Sequence, residues 1–101
     1  MSAFVMVRYE VKPGQVADNE ELVRGVYDEL GETRPTWLRY ATFVQEDGVS
    51  FVHLAVIDEE RGQLRDVAAF RRFREGLADR LVAPHANTPL RQVGGYRVFD
   101  E

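Results

Sequence analysis

The chain has 101 residues, 45% hydrophobic and 11% aromatic, with 17 acidic against 13 basic side chains and a formal net charge of -4. That length suits one domain over residues 1–101 with a real core, and that composition excludes disorder. The absence of cysteine excludes disulfides, thiolate nucleophiles and cysteine-ligated metals, and the acidic balance argues against a nucleic-acid partner, which needs a concentrated positive face.

The opening MSAFVMVRYEV carries no basic n-region or small-residue cleavage site, and its apolar run is too short to span a bilayer. A cytoplasmic protein without membrane association is the expectation. Phe4 to Val11 reads as a first strand, with Val5, Val7, Tyr9 and Val11 on one face and Phe4, Met6, Arg8 and Glu10 on the other. Lys12-Pro13-Gly14 stops it. From Val16 to Leu30, apolar residues including Val16, Val23, Val26, Tyr27 and Leu30 recur at helical spacing. Gly31 reads as the helix stop, and Pro35 prevents its resumption.

Trp37–Gln45 and Ser50–Ile57 read as the second and third strands, joined through the Asp47-Gly48 hairpin signal. A symmetric turn there predicts that Thr42 faces His53, Tyr40 faces Ala55 and Val44 faces Phe51. Asp66 is the predicted N-cap of a second helix running to about Val82, with Phe70, Phe73, Leu77 and Leu81 on its buried stripe and Gly76 as a weak point. Residues 83–89 read as a proline-bounded connection, and Leu90 to Phe99 as a last strand with a bulge at Gly94-Gly95. The order β-α-β-β-α-β defines an α+β, ferredoxin-like domain: a four-stranded antiparallel sheet with two helices on one face.

The run FVHLAVI at 51–57 is nearly continuous apolar, whereas an antiparallel strand with one wet face should alternate. Two helices cover one side of a sheet this small, so a second copy is expected on the other: a homodimer.

The run VKPG before an acidic amphipathic helix, Trp37-Leu38-Arg39-Tyr40 opening the second strand, FVHLAVID, and the Phe-rich AAFRRF together resemble the dimeric α+β barrel superfamily. Within it the resemblance is to antibiotic biosynthesis monooxygenase (ABM)-like domains, over nearly the whole chain. It implies a dimeric α/β barrel and includes cofactor-free monooxygenases of aromatic polyketides, haem-degrading enzymes and members without established activity. Fold does not choose among them.

His53 is the titratable side chain inside an otherwise apolar run. An imidazole there could serve as a general base, or be a core histidine bonded to Thr42 or a backbone carbonyl. The first strand should flank the third, bringing either Arg8 or Tyr9 towards it. His53, Tyr40 and Arg8 are the catalytic candidates, with Tyr40 and Arg8 stabilising developing negative charge. Thr42, Trp37, His85 and Asn87 are the substrate-binding candidates; solvated loop is the plainer reading for His85 and Asn87, and packing anchor for Trp37.

No metal and no cofactor are expected. Two separated histidines without a spaced carboxylate make no ligand set, no glycine-rich loop follows a strand, and no nucleophile elbow appears. The haem-degrading pattern of Asn, Trp and proximal His is largely missing, which leaves haem binding as a third reading. The function expected is a cofactor-independent monooxygenase-like enzyme acting on a small, aromatic molecule between sheet and helices; the alternative is a non-catalytic ligand-binding or assembly dimer.

Overall fold

The computed structural model describes residues 2–98. Strand β1 (Ser2–Glu10) leads through a short 3-10 turn at Pro13–Gln15 into helix α1 (Val16–Thr33); strands β2 (Leu38–Val44) and β3 (Ser50–Asp58) form a hairpin; a second 3-10 turn (Leu64–Asp66) precedes helices α2 (Ala68–Arg74) and α3 (Leu77–Arg80), and strand β4 (Ala86–Leu90) follows. The sheet order is β2-β3-β1-β4, with every neighbouring pair antiparallel. This is the ferredoxin-like arrangement that the order of sequence patterns predicts.

The hairpin register is also as predicted: Thr42 opposes His53, Tyr40 opposes Ala55 and Val44 opposes Phe51. The turn itself is one step wider than a two-residue loop. Gln45 N–H donates to the Ser50 carbonyl at 2.8 Å, closing a four-residue loop. Gly48 supplies a φ of 77° that side chains avoid. The Asp47 carboxylate accepts from Val49 N–H, Ser50 N–H and Ser50 Oγ, which holds its ionised form below the usual carboxylate range. Both loops are symmetric about the same point, so the register survives the change.

Three boundaries differ from the sequence expectation. Helix α1 runs through Gly31 and ends where Arg34 takes the left-handed conformation (φ 47°), its N–H reaching the Leu30 carbonyl at 2.8 Å; Pro35 then bars another turn. The second helix is broken in two, because Gly76 at φ 86° leaves the helical region. Asp66 is not the N-cap of α2. Its carboxylate instead accepts from Gln63 N–H, and the first amide groups of α2 are taken by Glu29 of α1, whose Oε2 and Oε1 accept from Ala68 N–H (3.1 Å) and Ala69 N–H (2.8 Å).

The last strand is the fourth correction. It occupies Ala86–Leu90 rather than Leu90–Phe99, and residues 91–98 form no strand; the Phe99 end of the predicted element lies outside the described residues. Pro89 is accommodated because β4 is an edge strand. The shift matters for function, since β4 pairs Asn87 with Val7 and brings 85–87 beside the central strands.

All three helical segments lie on one face. Tyr9, Val11, Val26, Phe51, Ala69, Phe73, Leu77 and Leu81 form the buried cluster there. Each such side chain contributes roughly 1.5–3 kcal/mol through burial if aliphatic or aromatic and fully enclosed. The chain end of β1 is tied to the segment after α3: Val11 bridges Leu81, and Lys12 N–H donates to the Arg80 carbonyl at 2.8 Å. No described helix is long and apolar enough to cross a membrane.

Candidate functional site

Side chains alternate along a strand, so register decides who meets whom. In the β1–β3 pairing Val7 opposes His53 and Tyr9 opposes Phe51, which places Tyr9 on the His53 face. Arg8 opposes Val52 and Ala86 and is exposed on the other face. The placement of Arg8 in the cluster is therefore corrected: Tyr9 stands there instead.

His53 is 4% exposed, and both ring nitrogens are engaged. Tyr9 Oη lies 2.7 Å from Nε2, Tyr40 Oη 2.6 Å from Nδ1, and Thr42 Oγ1 3.2 Å from Nδ1. The row continues in both directions. Tyr27 Oη meets Thr42 Oγ1 at 2.7 Å, while on the Tyr9 side Asn19 Nδ2 donates to Tyr9 Oη at 3.1 Å and Arg80 Nε donates to Asn19 Oδ1 at 3.1 Å. Arg80 Nη2 donates to the Phe73 carbonyl, and the guanidinium sits 5.4 Å over the Phe73 ring. No buried side-chain polar atom among the described residues lacks a partner.

Aromatic rings enclose this row. Tyr9 stacks on Phe51 and Tyr27 on Tyr40, both at 5.5 Å between centroids, and Phe73 packs against the imidazole at 5.4 Å. The electrostatic result is a site held neutral. Burial pulls the His53 imidazolium down to about 4, pushes the Tyr9 phenol up to about 12, and raises Tyr40 and Tyr27 above the ordinary phenol range.

Above the row is a small cavity of about 40 Å³, room for about three water molecules. Its floor is Val7, Tyr9, Tyr40, His53 and Ala55, its roof Phe70, Phe73 and Leu77 of α2 and α3, and its rim Arg74, His85 and Asn87. His85 and Asn87 thus reach the cavity together with His53 and Tyr40. Asn87 does so from a strand, not from a loop. Thr42 acts on His53 from beside the cavity. Trp37 is apart from it: its indole packs on Gly62, where a side chain would collide with the ring, and its carbonyl accepts from Asp58 N–H.

Asn19 and Arg80 were not among the sequence candidates. The signal was present, because Asn19 falls in the apolar stripe Val16, Val23, Val26, Leu30, and Arg80 follows Phe73 and Leu77 at helical spacing. Both are buried, Asn19 at 0% and Arg80 at 7% exposure. A polar residue on a buried stripe has to find a partner, and here each is the other's.

No protein-family model matches the chain, and no curated protein does. Solved structures do match. Among them are Rv0793 from Mycobacterium tuberculosis (19% identity, TM-score 0.67, covering 94% of this chain and 98% of that one), an antibiotic biosynthesis monooxygenase (18%, 0.69, 93% and 100%), and NE2512, a protein of unknown function from Nitrosomonas europaea (17%, 0.69, 94% and 92%). The chain accordingly has the α+β fold of the ABM-like proteins over more than nine-tenths of its length.

Proposed function

We propose that the chain is a cofactor-independent, monooxygenase-like enzyme that takes a small, aromatic molecule into the cavity between sheet and helices. The observation that carries this reading is the hydrogen-bonded row Tyr9–His53–Tyr40 opening onto an apolar, aromatic-walled space. An electron-rich ring would stack against Phe70 and Phe73 while one of its oxygens meets Tyr40. Dioxygen would react with the substrate's anion in this dry surrounding. When a substrate methylene becomes a carbonyl, one oxygen atom enters the product, the other leaves as water, and the substrate supplies all four electrons. His53, with both nitrogens bonded, would act on the substrate through Tyr40 and not by direct contact.

Two further parts belong to the same proposal. The sheet surface away from the helices carries Phe43 (52% exposed) and Leu90 (41%) beside half-buried Val52, Leu54 and Val56, which supports a homodimer packed through that face. His85, Asn87 and Arg74 at the rim would admit or orient the ligand.

Aerobic incubation with anthrone-type and quinol-type compounds tests the reading, followed by oxygen consumption and product absorbance. Turnover lost in Tyr40→Phe and His53→Ala, with circular dichroism unchanged, is the expected result. Absence of turnover across the panel would overturn it. The alternative, a non-catalytic ligand-binding or assembly dimer, has its own support in the small volume of the cavity and the enclosure of His53, which argue against a bound substrate; binding of such compounds without oxygen uptake, or no binding at all, would establish it instead.

A further inference from the structure

We infer that Arg80 and Asn19 hold His53 in its Nδ1–H tautomer, so that the cavity meets its occupant through the Tyr40 hydroxyl as a hydrogen-bond donor and selects molecules bearing a carbonyl, phenolate or enolate oxygen. The ligand half rests on the cavity being a binding site, as proposed above; the tautomer half does not.

The direction of the chain is set at its buried end. A guanidinium N–H can only donate. Arg80 Nε at 3.1 Å therefore requires the oxygen of the Asn19 amide, which turns Asn19 Nδ2 towards Tyr9 Oη, also at 3.1 Å. An amide N–H₂ likewise only donates, so the Tyr9 oxygen accepts. Its own proton then needs an acceptor, and His53 Nε2 at 2.7 Å is the remaining partner of that hydroxyl. If Nε2 carried the proton instead, the Tyr9 O–H would be left without an acceptor in a site where Tyr9 is 6% exposed, and an unpaired buried donor is disfavoured.

With Nε2 accepting, neutral imidazole must carry its proton on Nδ1. That N–H faces Tyr40 Oη at 2.6 Å and Thr42 Oγ1 at 3.2 Å, and one donor can serve two oxygens where one lone pair could not accept from both. Tyr40 then has its oxygen occupied and its proton to give. Thr42 is the competing protein acceptor, but both lone pairs of its oxygen are taken when Tyr27 Oη donates to it at 2.7 Å and the Nδ1–H bond at 3.2 Å fills the other. The Tyr40 proton is thus left for the cavity, which Tyr40 lines. Each bond in the row polarises the next, and the guanidinium at the far end draws electron density away from the mouth, which strengthens Tyr40 as a donor.

Three consequences distinguish this from a row of hydroxyls that merely fill space. His53 is a positioning residue whose ring nitrogens never touch the ligand. The site prefers an occupant whose oxygen is already ionised, or polarised as a carbonyl, over one that must donate a proton. Asn19→Asp reverses the whole row: a carboxylate accepts from both Arg80 and Tyr9, so Tyr9 Oη becomes the acceptor of an Nε2–H.

Nitrogen NMR of uniformly labelled protein at neutral pH reads the tautomer directly. Protonated Nδ1 with bare Nε2 in the wild type, and the opposite in Asn19→Asp, is the expected pair of spectra. Nε2–H in the wild type overturns the inference, and an unchanged tautomer in Asn19→Asp overturns Asn19 as its determinant. Should that variant not fold, Tyr9→Phe serves: removing the donor to Nε2 should leave both tautomers populated, and a spectrum identical to wild type counts against the assignment. The ligand half is read with 4-nitrophenol, whose absorbance reports its ionisation. The bound probe should ionise about tenfold more readily in the wild type than in Tyr40→Phe, as a donor to a charged oxygen gives. Equal ionisation, or no saturable binding, overturns that half and leaves the tautomer assignment standing.

Discussion

The two faces of the sheet use the same strands to opposite ends. Towards the helices, β1 and β3 direct Tyr9 and His53, at 6% and 4% exposure, into a polar row sealed by aromatic rings. Away from them, Phe43 of β2 and Leu90 of β4 are exposed beside the half-buried Met6, Val52, Leu54 and Val56, with the charged Arg8 and Arg39 on the same face. A sheet with one wet face normally carries apolar residues inwards and polar ones outwards. Here the inner face adds a polar row to its apolar cluster, while the outer face keeps apolar residues where polar ones are usual.

The sharpest way to separate the faces is to truncate one aromatic on each. Phe73→Ala removes the ring shared by Tyr9, His53, Phe70 and Arg80 and should lower stability by about 3–5 kcal/mol in denaturant titration. A loss below about 1 kcal/mol would mean that the inner face is not the rigid one.

Between about pH 6.5 and 4, acid should act through His53 on the inner face. His53 is held at about 4, while in the unfolded chain it titrates near 6.5. The native state therefore binds fewer protons than the unfolded chain between those values. Stability is complete at neutral pH and falls as the pH drops from about 6.5 towards 4, by on the order of 3 kcal/mol. Urea midpoints measured across that range check it, and His53→Gln should flatten the slope.

A smaller effect is expected at the junction of the helices. Glu29→Ala leaves the first amides of α2 unpaired and should cost about 1 kcal/mol, seen as a lowered thermal midpoint. The smallest effect on the protomer belongs to the outer face: Phe43→Asp should change folding stability by less than about 0.5 kcal/mol, yet shift the mass measured by light scattering from dimer to protomer. A wild-type chain that is already a protomer at micromolar concentration would erase the contrast between the faces.

Much of this was legible in the chain because it is local or periodic. The hairpin signal at Asp47-Gly48 sufficed to pair Thr42 with His53 and Tyr40 with Ala55, and through them half of the polar row. What escaped depends on long reach. Glu29 caps a helix that begins 39 residues later, and no local pattern encodes that. The choice of Tyr9 over Arg8 hung on the register between β1 and β3, which no turn fixes. Gly76 was visible as a weak helix former; that its φ of 86° would end one helix and start another between buried Phe73 and Leu77 was not. The last strand was misplaced because Pro89 spoke for a loop, while its position at the sheet edge removed the objection.

The anchor of the row is an arginine, and that choice carries a consequence for regulation. A carboxylate or an imidazole in the same place would change its bonding habits whenever its surroundings turned acidic or basic. A guanidinium has no alternative form at any pH a cell experiences, so the sense in which protons are ordered from Asn19 outward is set at folding and turns only where His53 itself takes a second proton, at about pH 4.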